Sequence, residues 1–333
     1  MKDRHGRVID YLRISLTDKC NFRCVYCMPE DGVTSLCHED ILRIEEIVDV
    51  VKAAAPLGIR SVRLTGGEPL VRRGVVDLVR ELNDIDGIEN ISMTTNGVLL
   101  PSMIDDLKEA GLSRVNISLD TLDTDQFKAI TRVGNLNDTL AGVDAALEAE
   151  LNPVKINAVA VRSLNQDFLE FAKMSIDRPL HVRFIEYMPV GSDITIEGEG
   201  WGEEDVIPSE ELFNLINDRA AAEGLPQLED AHSHKPVGWG PARYFAFPGA
   251  KGTVGFITPI SRHFCEECNR LRLTADGKIR PCLFSDDEFD IKAALRDGGQ
   301  EAVREVLIQA LGDKPDEHHH KIGTDRNMNQ IGG

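Results

Sequence analysis

The sequence predicts an α/β protein, a partial (β/α)6 barrel of the TIM type followed by a smaller C-terminal α+β extension. Three observations carry this expectation. Up to about residue 186, β-rich runs alternate with amphipathic helical segments. The runs number six, too few to close the eight-unit ring of a full barrel. Beyond them the pattern changes to a helix, short strands and a hairpin signal.

Strands are expected at 8–16, 59–64, 88–93, 114–119, 154–161 and 180–185, where β-branched and aliphatic residues cluster. Between them, 39–55, 74–82, 103–110, 137–150 and 165–175 repeat apolar residues at helical spacing. Such alternation gives parallel strands joined by right-handed helical crossovers, and ligands then collect at the strands' C-terminal ends. Residues 186–210 hold eight Asp or Glu and no Lys or Arg, which reads as a solvated acidic excursion. A helix follows over 209–223, with Ser209 as its N-cap and Glu210 and Glu211 in the first turn, where the helix dipole favours negative charge. Strands at 244–247 and 254–257, a hairpin of 270–274 and 278–282 around Asp276-Gly277, and helices near 290–296 and 300–311 complete the extension. The boundary falls at 190, giving a barrel of residues 1–190 and an extension of 191–333.

The composition, 42% hydrophobic and 28% charged, is that of a globular chain, and no apolar run is long enough to span a bilayer. A net charge of −19 argues against a nucleic-acid partner. The charged start, Met1-Lys2-Asp3-Arg4-His5-Gly6, lacks an apolar signal core, so a cytoplasmic address is expected. Two islands run against the acidic trend, +3 over residues 1–28 and +2 over 261–282. Both contain cysteines.

The seven cysteines lie at 20, 24, 27, 37, 265, 268 and 282, an odd number in two tight groups, unlike a disulfide framework. Cys20, Cys24 and Cys27 place three thiols in eight residues just after the first strand. Two readings of that spacing stand: a [4Fe–4S] cluster with one iron left open, or zinc completed by a remote fourth ligand. With an aromatic, Tyr26, before the last cysteine, and with Thr65-Gly66-Gly67-Glu68-Pro69 after the second strand, the sequence resembles the radical S-adenosylmethionine (SAM) enzymes. Without that context, Gly-Gly-Glu-Pro is an ordinary turn. The resemblance implies that the first trio holds a cluster, that the glycine motif receives the methionine amino group, and that cofactor chemistry generates a 5′-deoxyadenosyl radical.

Cys265 and Cys268, with Cys282 returned to them by the Asp276-Gly277 hairpin, form a second trio. Again two readings stand, a second open cluster or a zinc ribbon completed by His263. Arg270 and Arg272 share one strand face, and paired guanidiniums suit a phosphorylated guest, although solvated surface arginines are the plainer reading. Together these features resemble the GTP 3′,8-cyclase family of molybdenum cofactor biosynthesis, from Leu12-Arg13-Ile14-Ser15 to the final Gly332-Gly333. The resemblance implies two [4Fe–4S] clusters, on Cys20, Cys24 and Cys27 and on Cys265, Cys268 and Cys282. SAM would meet Tyr26, Gly67, Ser118 and Met188. GTP would meet Arg13, Arg63, Thr94, Lys155, Arg183, Arg270 and Arg272, with Arg13, Arg270 and Arg272 catalytic. It further implies a double-glycine tail that enters the site, an electron donor, and a pyranopterin monophosphate synthase that takes the product. A homodimer is left open.

Independently of any family, Arg13, Lys155 and Arg183 fall in expected strands and Arg63 next to a strand end. Cations inside a barrel need an anionic guest or buried carboxylate partners. His318, His319 and His320 read as native sequence with no assigned metal, and Cys37 as a buried small hydrophobe. Two rival functions stand beside this one. One is a peptide-modifying radical SAM enzyme with an auxiliary cluster; the other is a non-catalytic zinc-binding protein.

Overall fold

The computed structural model describes residues 1–33, 36–37, 39–188, 195–196, 199–200, 202–231, 235–238, 240–317 and 326–332. His318, His319, His320 and Gly333 lie outside the described residues. Six βα units come first: β1 (Tyr11–Ser15), α1 (Ile44–Ala54), β2 (Ser61–Thr65), α2 (Val75–Asn83), β3 (Asn90–Thr95), α3 (Leu100–Glu109), β4 (Arg114–Ser118), α4 (Thr124–Thr131), α5 (Leu136–Glu148), β5 (Val154–Ala160), α6 (Phe168–Asp177) and β6 (Leu180–Glu186). There follow β7 (Thr195–Ile196), β8 (Glu199–Gly200), α7 (Ser209–Ala222), β9 (Glu229–Asp230), β10 (Arg243–Ala246), β11 (Thr253–Ile257), β12 (Arg270–Leu273), β13 (Lys278–Arg280), β14 (Phe289–Asp290), α8 (Ile291–Gly312) and α9 (Met328–Ile331).

Strands β1 to β6 are parallel and lie in sequence order, as a partial barrel requires. Residues beyond 190 extend both edges of the same sheet, β12 running parallel beside β1 and β11 parallel beside β6. The barrel strands sort their side chains by parity. Leu12, Ile14, Val62, Leu64, Val115, Ile117, Val182 and Phe184 face the helical layer and are at most 1% exposed. Burial of each contributes about 1.5–3 kcal/mol, so the layer between sheet and helices holds the fold together. The opposite parity carries Arg13, Arg63, Thr94, Asn116, Lys155, Asn157, Arg183 and Arg272, which turn into the barrel. Among the described residues no helix is long and apolar enough to cross a membrane.

Several expectations need correction. Ser209 is the first helical residue of α7 rather than its N-cap, which is Pro208. Its N–H donates to Glu186 Oε1 at 3.2 Å, so a distant carboxylate does the capping. Glu186 and Asp205, expected in a solvated stretch, are 3% and 7% exposed, because each accepts backbone N–H groups from loops folded over it. Cys37 is exposed, not buried, since Asp40 N bonds to Cys37 O and turns the chain at the surface among polar neighbours. Helix α4 was not expected from the periodicity; Asp123 starts it by accepting from Gln126 N at 2.7 Å. The two expected late helices are present, separated at Gly299 (φ 65°) within α8. Arg296 then anchors α8 to α1 through Glu46, 2.8 Å away.

Candidate active site: two adjoining cysteine-lined cavities

The first cysteine trio sits on a loop that leaves β1 and is held from two sides. On one side, the C-terminal carbonyls of α4 receive it: Arg23 N donates to Thr131 O and Val25 N to Ile130 O, while Phe22 meets Phe127 edge-on at 5.8 Å. On the other, the glycine motif closes over it through Gly67 N to Thr17 O (2.7 Å) and Glu68 N to Lys19 O (2.8 Å). This approach tolerates no side chain. A Cβ at Gly66 would stand 2.6 Å from Thr17 O and one at Gly67 2.3 Å from Lys19 O. Buried Glu68 accepts from Leu70 N, Thr95 Oγ1 and Asn96 N, tying the motif to the end of β3. Burial pushes its carboxyl up to about 7 even against those three bonds. Asn96 passes the constraint back to the cysteine loop by donating to Asn21 Oδ1 at 2.6 Å.

Cys20, Cys24 and Cys27 line a cavity together with Tyr26, Gly66, Gly67, Ser118, Asp120, Met188 and Met328. Burial pushes the Cys20 thiol up to about 11 and Cys27 to about 12, and drives Cys24 well upward. Three thiols gathered at one cavity wall are a donor set that suits a cluster with one open iron. Asp120 accepts from Tyr26 Oη (2.6 Å) and Val159 N (2.8 Å), which fixes the ring beside the thiols; burial raises its carboxyl to about 6.

The second cavity lies inside the barrel. In-register pairing aligns Arg272, Arg13 and Arg63 across three neighbouring strands, and Asn157 with Arg183 across two. Arg13, Arg63, Lys155, Arg183, Arg270 and Arg272 line it, with Tyr11, Asn116 and Asn157, and no Asp or Glu among the described residues does. The electrostatic cost is visible in four of these cations. Burial and the neighbouring guanidiniums lower Arg272 to about 10 and Lys155 to about 6, and push Arg13 and Arg183 below the usual range. The same positive field acts on Tyr11: burial would raise its phenol, but Arg63, Arg13 and Arg270 outweigh that and bring it down to about 8. Among the described residues the lining of this cavity is a set of cations rather than the carboxylate pairs that the sequence left open as an alternative. The arrangement is a receptacle for a polyanion.

Cys265, Cys268 and Cys282 line the same cavity. Among the described residues, no three His, Cys, Asp or Glu side chains are set to hold a single metal ion, and His263 lies 3.5 Å from Glu317 Oε2. A three-thiol donor set suits a cluster with one open iron. The C-terminal tail also reaches here. Gly332 O accepts from Arg13 Nε (3.2 Å), Arg13 Nη2 (3.1 Å) and Arg272 Nη1 (2.8 Å). Gly332 adopts φ 68°, and a Cβ there would stand 2.3 Å from Thr65 Oγ1.

The two cavities share Thr94, Asn157, Ile185 and Met188 as common wall. Every site residue expected from the sequence lines one or both: Tyr26, Gly67, Ser118 and Met188 the first, and the seven expected GTP contacts the second. Sequence reasoning missed Tyr11, Asn116 and Asn157, although each lies two residues from an expected contact on its own strand and so shares its parity. It also missed Glu68 and Asn96 as clasp residues, although Glu68 lies inside the glycine motif and Asn96 two residues beyond Thr94.

Known proteins agree with this architecture. Residues 14–174 match the Radical SAM superfamily profile and 180–320 the Molybdenum Cofactor Synthesis C profile. The chain is 51% identical to the GTP 3′,8-cyclase of Pelotomaculum thermopropionicum and 48% identical to that of Desulforamulus reducens, each alignment covering 100% of both chains. Solved structures share the fold at low identity. Streptococcus suis SuiB bound to precursor peptide SuiA has a TM-score of 0.62 at 15% identity, over 94% of this chain and 67% of that one. Native anSMEcpe with bound AdoMet has a TM-score of 0.55 at 16% identity, over 94% and 83%. Identity near one half along the whole length goes beyond a shared fold, and the chain belongs to the GTP 3′,8-cyclase family of radical SAM enzymes.

Proposed function

We propose that this chain converts GTP to 3′,8-cyclo-7,8-dihydro-GTP, the first step of molybdenum cofactor biosynthesis, within a single chamber made of the two adjoining cavities. One observation carries the reading: the thiol trios line cavities with a common wall, and six cations line the second. Cys20, Cys24 and Cys27 would hold one [4Fe–4S] cluster, with SAM against Tyr26, Gly67, Ser118 and Met188. Cys265, Cys268 and Cys282 would hold a second. When bound, the first cluster and SAM supply a 5′-deoxyadenosyl radical, the species that takes hydrogen from C3′ of the ribose.

The chain's own residues do the rest. Lys155, Arg63 and Arg183 receive the triphosphate, and bidentate guanidinium contacts fix its orientation. Arg13, Arg270 and Arg272 act nearer the second trio and hold the nucleotide so that C3′ and C8 stay at bonding distance, the proximity term of catalysis. The Gly332 carbonyl, already on Arg13 and Arg272, orients both guanidiniums before the substrate arrives. The apolar wall of Ile185 and Met188 limits water between the cavities. A separate electron donor would reduce the first cluster, and a pyranopterin monophosphate synthase would take the product. The test is anaerobic incubation of reconstituted protein with dithionite, SAM and GTP. The expected result is 5′-deoxyadenosine together with a cyclised nucleotide; 5′-deoxyadenosine alone would reject GTP as substrate.

A further inference from the structure

One buried ionisable side chain has no part in the chemistry above. Lys314 follows α8 and is only 2% exposed. Its Nζ donates to Arg270 O at 2.9 Å and to Pro281 O at 2.5 Å, and its charge acts on the Cys268 thiol. Two of the three ammonium donors are thus fixed by carbonyls that flank the second trio. Arg270 follows Cys268 by two residues and Pro281 directly precedes Cys282, so Lys314 clasps both arms of the hairpin behind the sulfurs. The same strap is pinned by Arg7, whose Nη1 donates to Cys265 O (2.8 Å) and Asp316 O (2.9 Å) and whose Nη2 donates to Pro315 O (2.6 Å).

The two trios therefore sit in opposite electrostatic settings. The first has the carboxyls of Glu68 and Asp120 in its cavity wall. The second has Arg270 and Arg272 in front and Lys314 behind. The potential of an iron–sulfur cluster responds to nearby charge and to hydrogen bonds on its sulfurs, and a buried cation favours the reduced, more negative form. We infer that Lys314 is a positioning residue for electron transfer, a buried cation clasped to the carbonyls of Arg270 and Pro281 that raises the reduction potential of the second cluster. The inference rests on the two-cluster reading proposed above. Lys314 touches none of the residues assigned to SAM and meets Arg270 only at its carbonyl.

The test uses the full chain with Cys20, Cys24 and Cys27 replaced by Ala, so that only the second cluster loads, and follows its one-electron reduction by anaerobic EPR titration. Lys314→Gln, which removes the charge but can still donate, is expected to lower the reduced-to-oxidised ratio at a fixed potential tenfold, a shift of about 59 mV. Lys314→Arg, which keeps the charge, is expected to stay within about threefold of the parent by the same relation. A Lys314→Gln titration that superimposes on the parent overturns the inference. So does a Lys314→Gln protein that takes up no iron while Lys314→Arg loads fully, because the side chain would then be a strut. An iron-free parent is a different failure, and it would remove the two-cluster reading itself.

Discussion

Replacing Cys282 with alanine is expected to leave slow, uncoupled formation of 5′-deoxyadenosine while cyclised nucleotide falls by about three orders of magnitude or more, the scale of losing a group that acts only when the substrate is correctly held. Iron should fall from about eight to about four per chain, the content of two cubane clusters and of one. The argument is spatial. Cys282 lines only the second cavity, whereas the glycine motif, Tyr26 and the first trio line the other. The loop carrying Cys20, Cys24 and Cys27 is held by α4 and the Gly66–Gly67 clasp, and among the described residues neither makes a backbone hydrogen bond to the hairpin. Losing one thiol of the second trio therefore leaves the first intact. Cys24→Ala should behave differently, abolishing both products. Metal analysis with chromatography of the two nucleosides checks the pair, and parallel loss of both products in Cys282→Ala would mean that the trios do not work separately.

Lys155→Met is expected to separate stability from activity. Lys155 is 4% exposed and its Nζ donates to Val237 O at 3.2 Å. Burial first, then Arg183 and Arg63, bring it down to about 6 from an ordinary 10.5. Its folded pKa thus lies below the unfolded one. Between those values the unfolded chain holds a proton that the folded chain lacks, so stability declines as pH falls from about 10.5 to about 6 and levels off below. Methionine fills similar space without the charge and removes the penalty. The ligand-free variant should gain stability near neutral pH, on the order of 1–4 kcal/mol, with a flatter pH dependence. Its KM for GTP should rise by about tenfold to a hundredfold, because a charged hydrogen bond to phosphate is worth roughly 1.5–3 kcal/mol. Denaturant melts at pH 7 and 9 with a GTP titration read both effects. A variant that is less stable and binds GTP normally would contradict the polyanion-receptacle account.

The barrel was legible because its strands alternate so strictly. Leu12 and Ile14 point outward while Tyr11 and Arg13 point inward, and the same rule places Arg63, Lys155, Asn157 and Arg183 on one inner surface. The cysteine trios were legible from spacing alone. Other features depended on partners far away in the chain. Ser209 looked like a cap, but Glu186 supplies the acceptor across 23 residues. Glu186 itself looked solvated because its own neighbours are acidic; the backbone of Ile260 and Ser261 buries it from 74 and 75 residues away. Helix α4 was missed because it is short, and much of its support comes from packing under the cysteine loop rather than from a strong periodic face. Cys37 was misjudged because burial was inferred from residue type, whereas its turn follows from the polar run around it. Lys314 carried no motif at all, and only the folded hairpin gives it two carbonyl acceptors.

The central claim is that SAM and GTP occupy one chamber, with the ribose C3′ facing the first cavity. It is tested most directly with GTP deuterated at C3′, by mass analysis of the 5′-deoxyadenosine formed in a single anaerobic turnover. A shared chamber requires one deuterium in the nucleoside and its loss from the nucleotide product. Unlabelled 5′-deoxyadenosine, formed alongside GTP that keeps its deuterium, would mean that the two cavities do not act on one another's contents.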